Sequence, residues 1–254
     1  MKRTLYKQIL FIAFLFMPLS ISAWEGMAMP ALHVDGRYFR DPQGNIVNLH
    51  GFAQTYSPWF NEQCTIWNNY DVSTCLSYNQ GLIDKILAAG WKVNFLRLHM
   101  DPYWSNNPGA STSGESDISQ FNFERFKTYF QSVFVPMAKY AISHGLYVVM
   151  RPPGVCPEKI SVGDAYQQYL IKVWNYVSAD SYIKNNPDVM FELANEPVGI
   201  YQSDGTTSAG FKELKEYFQT ITDGIRANCD NIVLIPGLSW QANYEGFAEY
   251  PVEG

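Results

Sequence analysis

Five short apolar runs, at 47–53, 93–98, 146–150, 189–194 and 232–235, alternate with amphipathic stretches at 82–89, 123–143, 164–178 and 209–227. Runs of this length suit buried strands, and the stretches between them carry apolar residues at helical spacing. Strand and helix in strict succession mean βαβ units and a parallel sheet. An open doubly wound sheet and a closed eight-stranded barrel both satisfy that alternation. Nucleotide-binding open sheets usually carry a glycine-rich first turn, and neither GxGxxG nor GxxxxGKS/T occurs here. The pattern therefore predicts an α/β fold of the (β/α)8 TIM-barrel kind, with about the first five βα units present. Ahead of them, residues 32–48 read as an antiparallel β-ribbon with turns at Asp35-Gly36 and at 41–45.

A chain of 254 residues that is 47% hydrophobic and 17% charged has enough apolar mass for one large domain. Its amino terminus reads as an address label: Lys2, Arg3 and Lys7 precede the apolar stretch 9–19, and Ser20, Ser22 and Ala23 follow it. The stretch is short for a membrane span and contains Pro18, so a signal peptide over 1–23 is expected, followed by a catalytic domain over 24–254 that is incomplete at its carboxyl end. Removing three cations and no anion takes the formal charge from −6 to −9. An acidic chain without basic runs is a poor partner for nucleic acid, and no membrane association is expected after cleavage.

Export permits disulfides, and Cys64 and Cys75 lie close enough in sequence to be bridged, while Cys156 and Cys229 stand apart. No CxxC occurs, and His33, His50, His99 and His144 are scattered, so neither a metal nor another cofactor is expected. Nothing in the pattern specifies an oligomeric state.

The chemistry concentrates at Phe191-Glu192-Leu193-Ala194-Asn195-Glu196-Pro197, an apolar run ending in an amide, a carboxylate and a proline. Polar groups at the carboxyl ends of strands are where α/β barrels act. Pro197 ends the strand and is expected to keep Glu196 extended. By the period-two rule Phe95, Arg97 and His99 share one face, as do Glu192 and Glu196. Buried Arg97 needs a partner, and Glu192 is expected to supply it, with Glu196 higher and facing substrate. Strict alternation points Asn195 away, so contact with a sugar requires a twist or bulge. The polar connections 103–120 and 198–210 follow strands and should rim the active face. Trp59, Trp104 and Trp240 lie in such connections and could stack on sugar rings, whereas Trp91 and Trp174 read as packing residues.

With Asn195-Glu196-Pro197 after the fourth run and Arg97 in Phe95-Leu96-Arg97-Leu98, the chain resembles glycoside hydrolase family 5, the cellulase A family of retaining (β/α)8-barrel glycosidases. The resemblance extends from the ribbon to Gly237-Leu238-Ser239-Trp240. It implies Glu196 as general acid/base, Asn195 as hydrogen-bond partner of the substrate 2-hydroxyl or of the nucleophile, and Arg97 as the group that keeps the nucleophile ionised. Chemistry of this type needs one carboxyl protonated and the other charged.

The family's nucleophilic glutamate belongs on strand seven, and the chain as given ends at Gly254 before it, so the expectation is that the nucleophile is absent and the chain inactive alone. Glu245, Glu249 and Glu253, placed after strand five, are not assigned that role. Strand three ends in Arg151-Pro152-Pro153 where many relatives have a histidine, which leaves His99 or Arg151 for the position.

The leading function is hydrolysis of β-1,4-linked polysaccharide, with β-glucan as the partner, in the manner of a secreted endoglucanase. Mannanase or xyloglucanase specificity and a catalytically inactive carbohydrate-binding protein are the alternatives. A serine hydrolase built on Ser239 is disfavoured, because Gly237-Leu238-Ser239-Trp240-Gln241 lacks the second glycine of GxSxG.

Overall fold

The computed structural model describes residues 29–55, 71–108, 118–201 and 207–254. The expected leader, Trp59, and Cys64 with its expected bridge to Cys75 lie outside the described residues. Strands β3 (Gly51–Thr55), β4 (Phe95–His99), β5 (Tyr147–Arg151), β7 (Val189–Glu192) and β9 (Val233–Leu234) form one sheet whose spatial order follows the chain. Every neighbouring pair is parallel. Successive βα units laid side by side in this way are the arrangement of consecutive barrel strands. Each strand begins inside its expected apolar run.

The intervening helices are α1 (Val72–Ala88), α2 (Pro102–Ser105), α3 (Phe123–Tyr129), α4 (Val135–Ser143), α5 (Ala165–Ser178) and α6 (Thr207–Arg226). Three of them start on the same device, a side-chain oxygen accepting from a backbone N–H three residues on: Asp71 from Thr74 at 2.8 Å, Asn122 from Arg125 at 3.0 Å and Asp164 from Gln167 at 2.7 Å. Helix α6 buries Phe211, Leu214, Phe218, Ile221 and Ile225, a stripe at helical spacing that fixes which side meets the sheet. The single helix expected over 123–143 is broken by a π turn at Phe130–Phe134. Pro136, just beyond it, has no N–H to donate and its ring crowds the carbonyl four residues back, which the wider turn relieves.

Alternate residues of each strand face opposite ways. Leu96, Leu98, Val148, Met150 and Phe191, all fully buried, point to the helices. Phe95, Tyr147, Val149, Met190 and Leu234 form a second cluster on the concave face. The antiparallel pair β1 (His33–Asp35) and β2 (Tyr38–Arg40) belongs to the segment that covers the lower part of this face. Met29, Leu32 and Phe39 pack there, and Tyr147 donates its hydroxyl to the carbonyl of Pro30 at 2.6 Å.

Trp174 is buried, as expected of a packing residue, and its indole donates to the carbonyl of Leu193 at 2.9 Å. Trp91 corrects the same expectation. It is 67% exposed, because it follows the end of α1 and lies outside the face that α1 presents to the sheet.

Candidate active site

The upper rows of the concave face are polar. Arg97 on β4 and Glu192 at the end of β7 meet as a fork: Nε donates to Oε2 and Nη2 to Oε1, both at 2.6 Å. Two parallel charge-assisted bonds are the strongest arrangement open to this pair. Nη2 also donates to Oδ1 of Asn195 at 2.8 Å. Burial opposes the charge on Arg97, but the bonded Glu192 carboxylate, with Glu196 close enough to add its field, outweighs burial and raises the guanidinium pKa.

His99 sits between two guanidiniums, with Nε2 at 3.0 Å from Arg97 Nη1 and Nδ1 at 3.3 Å from Arg151 Nη2. A guanidinium only donates, and a neutral imidazole has one acceptor nitrogen, so the shorter contact at Nε2 is the hydrogen bond. Burial first, then repulsion from Arg151 and Arg97, pushes the His99 pKa down to about 2 and keeps the ring neutral. Arg151, at the end of β5, is itself buried and also donates through Nη1 to the carbonyls of Pro152 and Gly154. Both candidates for the strand-three position are thus in mutual contact. His144 is elsewhere, capping α4 with Nδ1 2.8 Å from the carbonyl of Tyr140.

Beyond Glu192 the chain leaves the sheet and bends at Ala194 and Asn195. The bend supplies the departure from alternation that Asn195 needed: the residue is 4% exposed and its amide oxygen lies on the Arg97 side. Glu196 follows at the rim, exposed, and its carboxylate makes no hydrogen bond among the described residues. Its backbone corrects the expectation of an extended conformation, because φ is +53°. Proline excludes chiefly the right-handed helical region for its predecessor, and here the flanks decide what remains. The carbonyl of Asn195 accepts from Cys156 N at 2.9 Å, and that of Pro197 accepts from Trp240 N at 3.0 Å. A left-handed non-glycine residue costs roughly 1–2 kcal/mol, and such strain is found where surrounding structure over-determines it.

Across from this loop lies α7 (Leu238–Gln241), in which Ser239, Trp240 and Gln241 have φ of 55°, 56° and 64°. Gly237 precedes it, where a Cβ would overlap the Asn243 carbonyl. Ser239 N donates to the carbonyl of Val198 at 2.9 Å, which fixes Ser239 as part of the turn. Trp240 is 66% exposed beside Pro197. Gln241 turns inward, and its Nε2 lies 2.9 Å from Glu192 Oε1 and 3.3 Å from the carbonyl of Ala194. Sequence reasoning missed Gln241, since nothing in Ser-Trp-Gln signals a left-handed turn. It also missed the short parallel pair β6 (Lys159–Ile160) and β8 (Gly199–Ile200), which joins the loops after β5 and β7.

Trp104 corrects a site expectation. Pro102 starts α2 immediately after β4, and the turn carries Trp104 into the core, 1% exposed and packed on Tyr103 at 4.8 Å and Tyr129 at 4.6 Å. Its ring is closed to a sugar. A cavity of about 480 Å³ runs along the edge strand β9 from Tyr38 and Phe39 of the ribbon to Glu192 and Gln241. Among the described residues there is no cluster of His, Cys, Asp and Glu able to hold a metal ion, and no helix long and apolar enough to cross a membrane.

Solved structures of other proteins share the fold. A β-glucanase from Saccharophagus degradans is similar in its native form at 17% identity and in complex with cellotetraose at 18%, each with a TM-score of 0.58, over 91% of this chain and 61% of that one. A thermostable, halotolerant GH5 cellulase from an Icelandic hot spring isolate matches at 19% identity and a TM-score of 0.54, over 88% of this chain and 57% of that one. An endocellulase from Pyrococcus horikoshii, in complex with cellotetraose, matches at 14% and 0.51, over 89% and 67%. At these identities the likeness is one of fold, and the chain spans about three fifths of the length of the first two. Among curated protein sequences none matches. The family model for cellulase, glycosyl hydrolase family 5, matches residues 41–254, and the chain belongs to that family.

Proposed function

We propose that the protein takes part in retaining hydrolysis of β-1,4-linked glucan, with Glu196 as general acid/base. The observation that carries this reading is an exposed rim carboxylate beside a hydrogen-bonded array of half-buried Arg97 with buried Glu192 and Asn195. Glu196 gives a proton to the glycosidic oxygen as the bond breaks, then takes one from the water that releases the sugar. Its partner carboxylate must stand about 5–5.5 Å away across the scissile bond. Family resemblance puts that group on strand seven, beyond the five parallel strands described. Glu192 is committed to Arg97 and Gln241 and is not offered as nucleophile. Arg97 keeps positive potential at the floor of the site, and Asn195, whose Oδ1 accepts from it, is the residue assigned to a sugar hydroxyl. Trp240 offers an exposed apolar ring beside the acid, as a pyranose face requires. The β-glucan class rests on the family and on the cellotetraose held by structurally similar glucanases. Export through the amino-terminal leader fits a polymer substrate.

One observation favours a second reading, carbohydrate binding without hydrolysis: the site's other carboxylate, buried Glu192, is already occupied. Release of reducing ends from soluble β-1,4-glucan, mannan and xyloglucan separates the readings. In a chain that carries the strand-seven carboxylate, hydrolysis of glucan is expected to fall at least about 100-fold in Glu196→Gln, with unchanged melting temperature. Binding without turnover by both forms would favour the second reading, and preference for mannan or xyloglucan would move the substrate class.

A further inference from the structure

We propose that Gln241 is a positioning residue for the Arg97–Glu192 pair, delivered to it by the left-handed turn Ser239–Gln241. The inference deepens the glycosidase reading of this site and rests on it only for its effect on turnover. Three consecutive non-glycine residues at positive φ are held by bonds that mostly lead to one place. Ser239 N and Trp240 N donate to the carbonyls of Val198 and Pro197, and the Gln241 amide donates to Glu192 and to the carbonyl of Ala194. All four acceptors lie in the segment 192–198 that carries Asn195 and Glu196. The turn is therefore shaped by the site it braces.

The chemistry at Glu192 explains why an amide is used. Oε2 takes Arg97 Nε, and Oε1 is shared between Arg97 Nη2 and Gln241 Nε2. A neutral donor completes the carboxylate without adding a cation that would compete with Arg97 for it. With both oxygens bonded, Glu192 has one orientation, and so has the fork of Arg97 that also holds Asn195 Oδ1. A lost donor frees the carboxylate to rotate, and the loss reaches Asn195 through Arg97.

The direct test is solvent exchange of the Arg97 Nε–H, measured by NMR on the whole chain without substrate. Gln241→Ala is expected to speed exchange about tenfold, the effect of one lost bond to a charged acceptor. Gln241→Glu keeps the side-chain shape, so a folding defect in the alanine variant does not close the test. At neutral pH the introduced carboxylate faces Glu192, and exchange should again quicken. On acidification it takes a proton, regains a donor, and exchange should return toward wild type, a pH-dependent rescue that a merely structural residue would not give. Where turnover is measurable, kcat should fall about tenfold in Gln241→Ala with KM within about twofold. Unchanged Arg97 exchange in both variants, or no pH-dependent rescue, overturns the inference. Absence of β-glucan turnover in a wild-type chain that carries the strand-seven carboxylate contradicts the glycosidase reading instead, and the exchange measurement still decides Gln241.

Discussion

The two faces of the parallel sheet are built from alternate residues of the same strands and have opposite chemistry. On the helix-covered face, Leu96, Leu98, Val148, Met150 and Phe191 are sealed from solvent by apolar partners. On the concave face the lowest row is apolar, with Phe95 and Tyr147, the next sets Arg97 beside Val149 and Met190, and above them stand His99, Arg151 and Glu192. The outer face can be read as stability, because apolar burial at about 25 cal/mol per Å² is its whole content. The upper concave rows cannot, since ion pairs taken out of water return little net stability. Their position at the carboxyl ends of the strands, beneath an exposed Glu196, is where the proposed chemistry needs them.

That contrast can be broken first on the outer face. Phe191→Ala should cost about 3–5 kcal/mol in denaturant unfolding, while Leu234→Ala, half-buried on the concave edge strand, should cost about 1 kcal/mol. Equal losses would mean that the two faces do not differ in packing.

Next comes the ion pair. Arg97→Met leaves the Glu192 carboxylate without its cation and should lower stability by about 2–3 kcal/mol, less than for a fully sealed pair because the Arg97 side chain is 22% exposed. Adding Glu192→Leu should recover most of the loss. A double variant as unstable as the single one would make the pair a stabilising element after all.

The effect that is smallest at neutral pH, and grows only on acidification, concerns His99. Its folded pKa lies near 2, below the unfolded value near 6.5, so the unfolded chain binds the proton more readily. The stability that His99 lends is complete above about pH 6.5 and is lost progressively as pH falls toward 2. Melting temperature should therefore drop less steeply with acidification in His99→Gln than in wild type. Parallel curves would remove the neutral, guanidinium-flanked ring from the description.

What the sequence disclosed follows the same division. The alternation of apolar runs and helical stretches carries strand order, because each run is short, local and periodic. The Arg97–Glu192 pair was legible from two facts, that period two puts both on inner faces and that buried charge demands a counter-charge. The features that escaped are set by contacts distant in sequence. Glu196 is left-handed because Cys156 and Trp240 hold its neighbours, and no property of Glu-Pro announces it. Ser-Trp-Gln carries no left-handed preference, so Gln241 was invisible beside Glu192. Trp104 and Trp91 each reverse the expected burial because loop position says nothing about which way a short turn swings an indole.

The indoles give the most direct test of whether the upper concave face is the saccharide site. A ¹H–¹⁵N titration of the protein with cellotetraose reports the Nε1–H of each tryptophan separately. The expected result is a shift at Trp240, with the Gln241 side-chain amide and Arg97 Nε–H following, and no shift at Trp174 in the outer core or at exposed Trp91. Saturable shifts at Trp91 with Trp240 unmoved would contradict the assignment of the site.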